Sequence, residues 1–160
     1  MAEDAPVIEH PNREKAANKA TKAVVVLLLL ASAALVFIVT VGGWNALQGA
    51  KVVGLAYGGL FVLLAYYVWR WSRGALPVSA ALAIIMLIFA AVSGPGWFDR
   101  DKTGFTNPAI PSSALGLITL LLIPVEALLI AFAMRGFSQA WNVEVERYPE
   151  PPRTAAPAGV

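Results

Sequence analysis

The chain has no cysteine and one histidine, His10, and these two counts remove much chemistry at once. Without cysteine there is no disulfide exchange, no thiolate nucleophile and no cysteine-ligated iron-sulfur or zinc centre. The bis-histidine haem of small four-helix membrane cytochromes needs histidines inside the membrane, so no haem is expected. Ser-His-Asp and HExxH chemistry would both fall to His10, which lies in a polar tail with no partner at the required spacing. Charge is scarce too: 14% of residues are Asp, Glu, Lys or Arg, against about 25% in a typical soluble domain. The sequence predicts no cofactor and no enzyme.

What the sequence has is oil. Of its 160 residues 58% are apolar, gathered in blocks at about 23–42, 51–70, 76–94 and 114–135. Each has the roughly 20 residues needed to cross a hydrocarbon core of about 30 Å as a helix. The expected fold is all-α: a polytopic integral membrane protein with a four-transmembrane-helix bundle over 23–135. An N-terminal tail, 1–22, is basic and partly helical near the membrane, its helix starting at Arg13 and running into the first span. An outer loop covers 95–113. The C-terminal tail, 136–160, is proline-rich and disordered at its end. No stretch remains for a separate catalytic domain of ordinary size.

Lys and Arg are placed unequally about these spans. Nine fall on the side of the two tails and the connection after span two, whereas Lys51, Arg100 and Lys102 fall on the other. The positive-inside rule then puts both termini in the cytoplasm. The expected site is the plasma membrane, the bacterial cytoplasmic membrane being favoured by the Ala- and Val-rich spans. Ala31, Ser32 and Ala33 mimic a signal-peptidase site, but the apolar run continues past them, so no cleavage is expected.

Within span two, Gly54 and Gly58 form a GxxxG pair, a small face for close helix packing, with internal packing favoured over a homodimer seam. The run YYVWRWSR from Tyr66 to Arg73 alternates aromatic and basic residues. Because Trp44, Trp69, Trp71, Trp97 and Trp141 all fall at predicted span ends, they read as interfacial anchors, and no nucleic-acid binding is expected. Gly94, Pro95 and Gly96 read as a helix stop, and Ser112 or Ser113 as the cap of span four.

In the outer loop, Asp99, Asp101, Thr103 and Gly104 match the first half of a calcium loop. Ile110 stands where the closing Glu belongs, so Asp99 and Asp101 form only a weak metal candidate and no metal site is predicted. The DKTG string there imitates the phosphorylation signature of P-type ATPases without the α/β domain that signature needs.

Glu126 is the exception among the ten acidic residues: the others lie in tails or the outer loop, and it lies near the centre of span four. A carboxylate there costs several kcal/mol unless protonated, solvated or paired, which makes it a candidate proton or partner site. Arg70 and Arg135 sit about nine residues, or about 13.5 Å, away along the axis. The remaining partners are Ser32, Tyr57, Thr119 or another chain. Pro124, beside it, removes the hydrogen bond to the Leu120 carbonyl and tends to kink the helix. The leading expectation is a noncatalytic multi-pass protein, an accessory or assembly subunit whose partners are the lipid bilayer and a larger membrane complex or a second copy. The alternative is a small proton- or cation-coupled transporter using Glu126. A lipid- or prenyl-processing enzyme ranks last, since no carboxylate cluster lies near the cytoplasmic interface.

Overall fold

Each apolar block becomes one helix in the computed structural model, which describes residues 6–100 and 102–148. After a short strand β1 (Val7–Glu9) come α1 (Pro11–Glu14), α2 (Ala16–Gly42), α3 (Ala50–Trp69), α4 (Ala75–Phe98), α5 (Ser112–Ser138) and a strand β2 (Val145–Arg147). The four long helices are long and apolar enough to cross a membrane, and the chain is a multi-pass membrane protein.

The helix expected from Arg13 through the first span is interrupted at Lys15, whose ψ of 130° is extended. Pro11 starts the short α1, where its missing N–H costs nothing, and α2 begins one residue after the break. The all-α expectation is also incomplete. Val7, Ile8 and Glu9 pair antiparallel with Arg147, Glu146 and Val145, so each tail contributes a short strand. The expected disorder at the end of the second tail falls on 149–160, outside the described residues.

A two-stranded ribbon alone is marginal in water, and this one is tied to the bundle. Asn12 Nδ2 donates to the Ala140 carbonyl and Arg13 Nε to that of Trp141, both at 3.0 Å. Gln139 Nε2 donates to Thr21 Oγ1 at 2.9 Å. Trp141 is fully buried, edge-on to Trp71 with ring centroids 5.2 Å apart, and fits over Gly136, where a Cβ would meet its ring at 3.1 Å. Trp71 itself has a φ of 63°. It follows the last residues of α3, where glycine is the usual occupant, and the Ser72 N–H closes that helix end on the Tyr67 carbonyl at 3.0 Å.

The stop expected at Gly94, Pro95 and Gly96 does not occur there: α4 continues to Phe98. Tertiary packing overrides the local breakers. Trp97 is buried against Gly43 and Gly116, where added Cβ atoms would meet it at 2.6 and 3.1 Å. At the start of α5 the cap position is Pro111, and Ser112 and Ser113 lie inside the helix.

Packing is most extensive between α4 and α5, then between α2 and both α3 and α5, while α3 and α4 barely touch. The order around the bundle is therefore α3, α2, α5, α4, with an opening between the first and the last. One end carries the ribbon, α1 and the α3–α4 turn. The other carries the connections after α2 and α4, joined by Ile110 N–H to the Gly42 carbonyl at 3.2 Å. Val25, Leu29, Phe61, Leu76 and Leu129 fill the main core, and Ala46, Trp97 and Leu115 a smaller one at the loop end. Large apolar side chains such as Leu27, Val52, Val92 and Leu117 face outward, as lipid contact requires.

Candidate functional site

On α5 the buried residues Leu115, Thr119, Leu122, Glu126, Leu129 and Ala133 recur at helical spacing and form one inward stripe. The facing stripe of α2 carries Leu29, Ser32, Ala33, Val36 and Thr40. Glu126 thus points into its own bundle, with no exposed surface, rather than toward lipid.

Its surroundings are unusual in what they withhold. Neither carboxylate oxygen of Glu126 has a hydrogen-bond partner among the described residues, and neither does the hydroxyl of Ser32. Ser32 is the hydroxyl facing the carboxyl. Other buried hydroxyls satisfy themselves on their own helices: Thr40 on the Val36 carbonyl, Thr119 on that of Leu115 and Ser79 on that of Ala75, at 2.7 to 2.8 Å. Ser32 makes no such bond to Leu28, so its donor stays free. Of the three expected partners, Ser32 is adjacent, Thr119 is committed elsewhere, and Tyr57 lies within electrostatic range while packing edge-on against Phe61 and Phe89. A buried polar group without a partner costs about 1–3 kcal/mol, and here two face each other.

The opening between α3 and α4 forms a cleft of about 480 Å³ in the loop-end half of the bundle, lined by Val36, Thr40, Gly54, Tyr57, Phe89 and Leu122, among others. Its innermost residues, Val36 and Leu122, each lie one helical turn from Ser32 and Glu126. The unbonded pair therefore sits just beneath the cleft. Pro124, exposed on the opposite side of α5, interrupts the hydrogen-bond ladder between the two.

Gly54 and Gly58 face α2. A Cβ at Gly54 would collide with Thr40 Oγ1 and one at Gly58 with the Phe37 ring, so this pair is engaged in packing within the chain. The five tryptophans divide. Trp44 and Trp69 are exposed at opposite ends, Trp71 is half-buried, and Trp97 and Trp141 are buried inside the protein. Rings expected among lipid headgroups thus include two that fill internal space, because α4 runs on far enough to press Trp97 against Gly43 and Gly116 and the segment after α5 folds Trp141 back over Gly136. Gly136, preceding Trp141, is the sequence signal for that second docking.

Asp99 is exposed and lies 3.8 Å from Lys102. Asp101, its companion in the weak metal candidate, lies outside the described residues. Among those described, no three His, Asp or Glu side chains converge on a metal-sized space.

The cluster that sequence reasoning missed is the clasp between the tails. His10 Nε2 lies 3.1 Å from Glu144 Oε1, and Arg147 Nε 3.2 Å from Glu9 Oε2. The faint signal was the alternation in VEVE, a short strand pattern, together with the β-branched pair Val7 and Ile8. No protein-family model, no curated protein and no solved structure matches the chain.

Proposed function

We propose that this chain is a noncatalytic accessory or assembly subunit of a larger membrane complex. It resides in the plasma membrane, the cytoplasmic membrane of a bacterium, with both termini inside. The observation that supports this reading is the clasp. Ordering tail residues costs about 1–2 kcal/mol each in backbone entropy, and here the two tail segments are held to each other by strand pairing and by the His10–Glu144 and Glu9–Arg147 contacts. The product is a platform whose two outer strand edges are unpaired among the described residues, the kind of surface to which another chain adds. Val7, Ile8 and Tyr148 are exposed on it. A photo-crosslinking residue at Ile8 or Tyr148, activated in intact membranes before mild-detergent purification, should give an adduct of defined mass. Recovery only as an isolated monomer, with no adduct from either position, would overturn the proposal.

A second reading, a small proton- or cation-coupled carrier, is favoured by one arrangement: the unpartnered Glu126 and Ser32 one turn below an apolar cleft. In it Glu126 exchanges a proton as the helices close over the cleft. Reconstitution of Glu126→Gln tests it, and proton-linked flux unaffected by that substitution removes it.

A further inference from the structure

The walls of the α3–α4 cleft are chemically plain even where they carry hydroxyls. Thr40 Oγ1 donates to the Val36 carbonyl and Ser93 Oγ to the Phe89 carbonyl, each at 2.7 Å, so their donors are spent and their carbon atoms share the lining with Val, Leu, Phe and Met. Tyr57 adds a single phenol to this lining, and such walls fall short of the two to four polar partners that a trapped water needs. At the mouth the chemistry changes. Arg100 holds its guanidinium over the rings of Trp97 and Phe105, 5.3 and 5.9 Å from their centroids, and also lines the cleft. Gly96 lines it as well, and a side chain there would meet open space, so the entrance beside Arg100 is unobstructed.

Volume selects among occupants. At about 30 Å³ per water-sized group, 480 Å³ holds roughly 16 such groups, the size of one hydrocarbon chain. A membrane-spanning helix, about 10 Å across and about 30 Å long, is several times too large. An apolar slot with a cation at the level of the membrane surface matches a chain bearing an anionic head, and the planar guanidinium matches phosphate oxygens two at a time. We propose that this cleft holds one acyl chain of an anionic phospholipid from the adjoining leaflet, with its phosphate on Arg100. The proposal rests on neither reading of the whole protein, although the carrier reading draws on the same cleft.

The test is native mass spectrometry of the delipidated full-length protein, titrated with phosphatidylglycerol and with phosphatidylcholine carrying the same chains. One phosphatidylglycerol should be retained in preference to phosphatidylcholine. Arg100→Gln should weaken phosphatidylglycerol retention about tenfold, the scale of one charge-assisted contact, and leave phosphatidylcholine unchanged. Ser93→Phe from α4 and Ala50→Phe from α3 project into the cleft from exposed positions, and each should reduce retention of both lipids; circular dichroism and a single elution peak check folding. Two filling variants on different helices keep the test decisive if one misfolds. Equal retention of the two lipids by the unaltered protein overturns the proposal, as does retention indifferent to both filling variants. A dimer that the filling variants abolish would assign the cleft to a second copy and overturn it too.

Discussion

Neither carboxylate oxygen of Glu126 nor the hydroxyl of Ser32 has a hydrogen-bond partner of good geometry among the described residues, so the folded state gains little from the carboxyl's polarity and much from its volume. Replacing such a group by an apolar residue of similar size is commonly neutral or stabilising, whereas truncation leaves a cavity costing about 2–5 kcal/mol. Glu126→Leu should hold or raise the thermal midpoint in detergent, and Glu126→Ala should lower it clearly. If Leu proved as damaging as Ala, the carboxyl would be making bonds that this arrangement lacks. The glycines of α3 offer a paired contrast. Gly58→Leu drives a side chain into Phe37 and should cost about 1–3 kcal/mol or more, while Gly59, one residue on, faces open space. Gly59→Ala should be tolerated and gain up to about 1 kcal/mol of helix propensity; thermal unfolding of the two variants side by side checks both. An acid in an apolar run is legible in sequence at once. Which hydroxyl it faces is not, because spans that are apolar on every side carry almost no signal for their rotation about the axis.

At the level of elements, span positions were legible because length and hydropathy dictate them, while helix ends followed contacts distant in sequence. The clearest case is α4. Gly94, Pro95 and Gly96 form a strong local stop, yet the helix proceeds because burying Trp97 against the start of α5 and the end of α2 outweighs the broken ladder. Two expectations follow from that balance. Pro95 is exposed, so Pro95→Ala should restore the bond to the Ala91 carbonyl and stabilise the helix by up to about 3 kcal/mol, read as a higher thermal midpoint. Trp97→Ala removes the contact that holds the last turn and should cost about 3–5 kcal/mol. Backbone amides after Gly94 should then exchange with deuterium faster than those in the middle of α4; unchanged protection beyond Gly94 would show that the last turn stands without Trp97.

For the molecule as a whole, the pairing of β1 with β2 brings both tails to one end of the bundle, and the Lys and Arg distribution proposes which side of the membrane that end occupies. Lys22 shows how local the charges are to the surface: its ammonium lies 3.3 Å from the Trp69 carbonyl and over the rings of Trp69 and Trp71, binding the start of α2 to the end of α3. A cation near a cytoplasmic leaflet gains about 1 kcal/mol from anionic lipid, so the nine on the tail side outweigh Lys51, Arg100 and Lys102 by several kcal/mol in choosing orientation. Reporter fusions active only in the cytoplasm or only outside it, placed after Val160 and within 43–49, should report the tail as inside and the loop as outside. Replacing Arg13, Lys15, Lys19 and Lys22 by Gln while adding two lysines between Gly104 and Pro111 makes the two sides equal in charge, and the population should then divide between the two orientations. A tail that still reports wholly inside would show that the orientation is held by something other than its positive charges.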